Sequence, residues 1–174
     1  HGPKVDKDWS QKLNSRQRRA ARDSAIAASC DSVTVSSRGH RFEEGLRFPI
    51  IIDDYVESRT DSDEKYEIEN LPYQNSTRKF VAMMEGLGLS ADLDRSRKGR
   101  TIRAGKGKMR GRKYRTPKSL LVVVAQKDGL DRAARNLPGV DVVTAKDLCA
   151  EDLAPGGDLG RLTVWTKSAV EALE

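Results

Sequence analysis

Apolar residues in this chain gather into short, separate patches. Phe80, Met83, Met84 and Leu87 recur at the spacing of one helix face, with Ser76 opening the run and Gly88 near its end. The Met pair is explained by core packing, without a cofactor. Leu120–Val124 is a continuous, β-branched-rich run after Pro117, the pattern of a buried strand. Pro49–Asp53 reads as a second strand buried on both faces, and Val140–Thr144 and Leu162–Trp165 as two more. Ser32–Val35 and Ala91–Asp94 are shorter strand candidates. A helix rich in Ala and Arg is predicted after a cap at Asn14 or Ser15. Further helices are expected at Leu130–Leu137, at Ala145–Ala150 (a short helix or turn) and after a Thr166 cap, in a terminal helix carrying Val170 and Leu173. Ala154–Gly157 makes a tight loop. Strands alternating with helices across brief connections predict an α/β layer with a mostly parallel sheet.

The remaining segments are polar. Residues 1–14 hold turn formers and mixed charge without a period and read as an arm, with Trp9 able to anchor it against a surface. Residues 15–174 read as one globular domain with two departures from the pattern: a flexible, acid-rich insertion at about 57–70 and a basic loop at about 95–118. The chain begins at His1, as a fragment or a processed chain would. No apolar run approaches the ~18 residues of a membrane span, so a soluble, intracellular chain is expected. Cys30 and Cys149 lie far apart without metal-ligand spacing, as free thiols in a reducing compartment do.

Charge changes the picture most. The 174 residues carry a net charge of +6, yet 12 Lys and Arg fall in Arg95–Lys118, which contains no Asp or Glu. The rest of the chain therefore sums to −6 (6 − 12), and the basicity belongs to one surface. A merely solvated loop predicts mixed signs. A one-sign loop punctuated by Gly105, Gly107 and Gly111 suits a phosphate backbone, which arginine forks and backbone N–H groups bind at close approach. Its candidate RNA-binding residues are Arg95, Arg97, Lys98, Arg100, Arg103, Lys106, Lys108, Arg110, Arg112, Lys113, Arg115 and Lys118. Tyr114 is placed to stack on a base or sugar. Arg16, Arg18 and Arg19, with Arg22, crowd the first turns of the first helix, where positive charge opposes the macrodipole and calls for an anion. Aromatic residues make up only 5% of the chain, too few for recognition by serial base stacking.

Catalytic constellations lack parts. Asp53-Asp54 after a strand imitates the metal-binding acid of a nucleotide hydrolase, but no phosphate loop accompanies it, so these acids cap a turn or helix. The three glycines of the basic loop miss the dinucleotide spacing and precede a strand instead of following one. The only histidines are His1 and His40, and no nucleophile elbow is present. No catalytic residue, metal or cofactor is assigned.

Three blocks resemble one family. Ile102–Val124 (I-R-A-G-K-G-K-M-R-G-R-K-Y-R-T-P-K-S-L-L-V-V-V), Ala133–Val142 (A-A-R-N-L-P-G-V-D-V) and Glu151–Thr166 (E-D-L-A-P-G-G-D-L-G-R-L-T-V-W-T) are similar, in order and spacing, to the large-subunit ribosomal protein L-four family in its archaeal and eukaryotic branch. The resemblance implies a Rossmann-like, mostly parallel sheet with flanking helices and a basic RNA-binding extension. It implies a structural constituent of the large ribosomal subunit in the cytoplasm, bound to large-subunit rRNA and to neighbouring ribosomal proteins, with no membrane or small-molecule substrate. The family's arm lines the region near the peptide exit tunnel. The resemblance implies that residues 1–14 correspond to the point where that arm returns to the body, with the family's first strand, helix and outgoing half of the arm expected to be missing from these 174 residues. Two other readings of the residues stay open: an RNA-processing or RNA-modifying enzyme built on a Rossmann-type sheet, and an extra-ribosomal regulator that binds mRNA.

Overall fold

The computed structural model describes residues 2–57, 65–69, 71 and 75–173. Helix α1 (Ser15–Ser29) starts at the predicted cap, where the Asn14 N–H donates to Gln17 Oε1 at 3.4 Å. Ser32–Ser37 form a helix, α2, where a strand was expected. The Asp31 carboxylate accepts the N–H groups of Val33 (3.2 Å) and Thr34 (3.1 Å) and the Thr34 hydroxyl (2.5 Å). This cap satisfies otherwise orphaned donors and overrides the β-branched preference of the segment.

Strand β1 (Ile50–Ile52) is an edge strand, and Ile51 is 52% exposed rather than buried. Strands β2 (Tyr55–Glu57) and β3 (Lys65–Glu67) form an antiparallel ribbon. Of the acid-rich stretch, 58–64 and 70 lie outside the described residues, whereas Ile68 is buried and Glu69 hydrogen-bonds to the body. Helix α3 (Ser76–Gly86) buries Phe80 and Met84.

Ser90–Lys98 form helix α4, again where the short strand Ala91–Asp94 was expected. The cause is tertiary: Asp92, Arg95 and Ser96 share a helical face and deliver their polar atoms to partners far away in sequence. Arg95–Lys98 are thus the last turn of a helix and not part of a loop. The chain then makes a hairpin from β4 (Thr101–Ile102) and β5 (Tyr114–Arg115), with a one-turn 3-10 helix at Lys106–Met109.

The C-terminal half follows the predicted alternation in β6 (Leu121–Val124), α5 (Gly129–Ala134), β7 (Asp141–Thr144), β8 (Thr163–Thr166) and α7 (Lys167–Glu171), whereas the expected short helix or turn at Ala145–Ala150 is a turn at 145–147 and a helix, α6 (Ala150–Leu153), starts where it ends. The Thr166 hydroxyl caps α7 by accepting the Ala169 N–H at 3.3 Å. The four-stranded sheet has the order β1-β8-β6-β7, and every pairing in it is parallel. Alternation along β6 divides the core. Val122 and Val124 pack with Phe80, Met84, Leu93 and Leu130, so α3, α4 and α5 cover one face. Leu121 and Val123 pack with Ala25, Leu153, Trp165 and Ala169 under α1, α6 and α7.

Candidate nucleic-acid interface

The basic hairpin stands on a buried carboxylate. Asp92 is fully buried on α4, and its Oδ1 meets His40 Nδ1 at 3.0 Å, the Arg41 N–H at 3.1 Å and Arg95 Nε at 2.8 Å. Its Oδ2 accepts the Ser119 hydroxyl at 2.5 Å. Burial alone would raise the Asp92 pKa. The hydrogen bonds from His40, Arg95 and Ser119 outweigh it and hold the carboxyl well below the usual carboxylate range.

Both roots of the hairpin converge here. The Arg95 guanidinium also donates to the Lys118 carbonyl at 2.8 Å, and Ser96 Oγ lies 3.0 Å from the Pro117 carbonyl and 2.6 Å from that of Pro138. Gly139 makes room for this knot: it sits at φ +79°, and a Cβ there would run into the Pro117 carbonyl and Ser96 Oγ. Arg161, only 1% exposed, donates to the Ser119 carbonyl (3.0 Å), the Leu120 carbonyl (3.2 Å) and Asp141 Oδ2 (2.5 Å). The segment that returns from the hairpin into β6 is thereby fixed on two sides.

Above the roots the ladder is short. Arg103 donates its N–H to the Lys113 carbonyl at 2.8 Å, and the Arg110 and Arg112 N–H groups both reach the Gly107 carbonyl at 3.1 Å, which closes the tip. Gly105 and Gly111 turn the chain at φ +74° and +78°. Of the predicted residues, Arg97, Lys106, Lys108, Arg110, Arg112 and Arg115 are exposed and form no ion pair with an acid among the described residues. Arg100 lies over the Tyr114 ring at 4.3 Å, Lys113 lies 5.6 Å from it, and Arg103 reaches the Tyr114 carbonyl at 3.5 Å.

Three of the predicted residues are engaged with acids. Arg95 is committed to Asp92, Lys118 pairs with Asp141 at 2.6 Å, and Lys98 meets Asp94 at 3.3 Å. Arg16, Arg18 and Arg19 are exposed on α1, whose first turn has no acid. That helix covers the opposite sheet face from α4, so two separate basic surfaces result. Sequence reasoning missed Asp92, His40, Ser96, Ser119 and Arg161. The one available signal was Arg161, a lone charge at the head of the apolar run Leu162–Trp165.

The carboxyl ends of the strands, where open α/β sheets take their ligands, are occupied by the chain itself. Glu69 accepts the N–H groups of Ala125 (2.7 Å) and Gln126 (3.1 Å) after β6, and the hydroxyls of Thr166 (3.1 Å), the last residue of β8, and Ser168 (3.0 Å). Asp54 caps the start of α7 through the Ser168 N–H at 3.1 Å, in keeping with the capping role read for the Asp53-Asp54 pair. Among the described residues no group of three or more His, Cys, Asp or Glu is placed to hold a metal, and no helix is long and apolar enough to cross a membrane.

The profile of the ribosomal protein L4/L1 family matches residues 1–174. The chain belongs to this family. It is similar to the large ribosomal subunit protein uL4 of Halorubrum lacusprofundi, at 47% identity over 98% of the chain and 62% of that protein. The uL4 of Methanocaldococcus jannaschii is 48% identical over 100% of the chain and 63% of its own length. That of Thermoplasma acidophilum is 42% identical over 100% and 62%. The chain thus spans somewhat over 60% of the length of these relatives. In this L4/L1 chain the three blocks singled out above fall on the hairpin with β6, on the end of α5 through the start of β7, and on α6 through β8. They supply the returning side of the hairpin root, with Lys118, Ser119, Gly139 and Arg161, while Asp92, Arg95 and Ser96 of α4 and His40 lie outside them.

Proposed function

We propose that this chain is the globular part of a structural protein of the large ribosomal subunit, not an enzyme, and that it binds large-subunit rRNA through the Thr101–Arg115 hairpin. The observation that carries the reading is a hairpin crowded with unpaired cations, free of acids and fixed at both roots by the Asp92 knot. Preorganised cations lose little freedom on meeting phosphates, and each neutralised phosphate releases counterions. Neutralisation lets neighbouring RNA helices pack during assembly. The α1 arginines form a second contact on the opposite face, and adjoining ribosomal proteins complete the surroundings near the exit tunnel. Recognition rests on RNA shape, because the deep major groove of folded RNA hides its base edges.

The reading of the fold as an RNA-modifying enzyme is disfavoured by Glu69, whose carboxylate occupies the carboxyl ends of β6 and β8, where an open α/β sheet takes a ligand. The test is sedimentation of the native protein after a moderate salt wash of cell extract. Retention on large subunits is expected, and reversing the charges of Arg110, Arg112 and Lys113 abolishes it without unfolding the sheet. Release of the wild-type chain at low salt, or normal incorporation of the folded triple variant, overturns the proposal.

A further inference from the structure

The hairpin is not purely electrostatic. Ile102 is 61% exposed and Tyr114 46% exposed, and the two are register partners across β4 and β5. The Arg103 N–H to Lys113 carbonyl bond makes the next pair, Ile102 with Tyr114, the non-hydrogen-bonded kind, in which side chains approach most closely. An exposed Ile beside an exposed Tyr on a two-stranded ribbon has no core to serve, and phosphate binding needs neither. Arg100 lies over the Tyr114 ring at 4.3 Å, so the ring has a guanidinium on one face and Ile102 as its cross-strand neighbour. The surroundings are cationic and contain no acid from Arg95 to Lys118. A flat, apolar partner whose flanking groups are anionic fits such a patch, and an unpaired nucleobase has both properties.

We infer that Ile102 and Tyr114, backed by Arg100, form a stacking platform for one unpaired nucleobase of the bound RNA. This rests on the RNA-binding reading and adds to it: the neighbouring cations fix the backbone while the platform selects a place where a base is free to leave its helix. A base gains from the apolar face on each side of the hairpin's centre line, whereas a sugar presents hydroxyls that would be left against Ile102. The intact Tyr hydroxyl is not required.

The experiment measures binding of the full chain to an in vitro transcript of archaeal large-subunit rRNA across a salt series, with chemical probing of base accessibility. Tyr114→Ala and Ile102→Thr each weaken binding about tenfold. The slope of log affinity against log salt stays unchanged, because no phosphate contact is lost. Both variants expose one base that the wild type protects, and Tyr114→Phe restores binding and protection. Ile102→Thr keeps a β-branched residue in the strand, so it removes the apolar surface while preserving the hairpin. Unchanged affinity in both variants, a slope that falls with affinity, or failure of Tyr114→Phe to rescue overturns the platform. A wild-type chain that prefers this transcript no more than transfer RNA sinks the RNA reading itself, a distinct result.

Discussion

Arg95 grips Asp92 with Nε at 2.8 Å and, from the same guanidinium, the Lys118 carbonyl at 2.8 Å, so one side chain joins the helix that starts the basic stretch to the residue that ends it. Replacing Asp92 by Ala leaves a largely buried arginine without its acid and the Ser119 hydroxyl without its acceptor. The expected cost is about 3–5 kcal/mol, read as a lower urea midpoint. Because the knot holds both hairpin roots, amide exchange at Ser119, whose N–H donates to the Gly139 carbonyl at 2.8 Å, should accelerate more than exchange within β6. Equal protection of the Ser119 amide in a folded Asp92→Ala chain would show that the knot is not what fixes the root.

The same carboxylate predicts an acid response. Its folded pKa lies below the ordinary 3.8, so the stability it contributes is fully present above that value and is lost as pH falls toward the depressed folded pKa. Asp141, held down by Lys118 and Arg161 against its own burial, acts in the same direction. Urea midpoints between pH 6 and pH 3 should therefore drop more steeply below about pH 4 in the wild type than in Asp92→Asn, which has no proton to bind there. Parallel curves would remove Asp92 from the acid response.

This contrast shows what the sequence made legible. Helix α3 and strand β6 announce themselves because their apolar spacing is local and the core they face accepts it. Helices α2 and α4 do not, because their determinants are polar: the Asp31 cap in one, and in the other a face whose partner His40 lies 52 residues away. The hairpin's charge was plain in the sequence, as was its closeness to β6. The division between cations that face solvent and cations spent on Asp92, Asp94 and Asp141 depends on tertiary placement, which composition does not carry. The same holds for β1, whose Ile run reads as central although the sheet places it at an edge.

Glu69 supplies a third test. Its carboxylate collects two backbone N–H groups and two hydroxyls from the ends of β6 and β8. Glu69→Ala leaves those donors without their acceptor, at a cost of about 2–3 kcal/mol. Glu69→Gln keeps one acceptor oxygen and should cost less. Thermal denaturation of both variants checks the order. A Glu69→Ala chain as stable as the wild type would mean that solvent satisfies these donors, and that the carboxyl ends of the strands are open after all.

The final prediction separates the cations by their employment. Arg110 and Arg112 are exposed and form no ion pair with an acid among the described residues, whereas Arg95 is bound to Asp92 and to the Lys118 carbonyl. If Arg110 and Arg112 neutralise one phosphate each, substituting either by Ala should lower the slope of log affinity against log salt by about 0.7–0.9 and leave the urea midpoint unchanged. Arg95→Ala should do the reverse at the level of the fold, lowering the midpoint. Its effect on RNA affinity would then come through a loosened hairpin root and not through a missing charge at the interface. Adding back the charge as Arg95→Lys tests this directly. A lysine restores the positive charge but cannot span Asp92 and the Lys118 carbonyl with a planar fork, so stability should stay low. If Arg95→Lys instead recovers both stability and affinity, the residue acts as a simple cation and the clamp is superfluous.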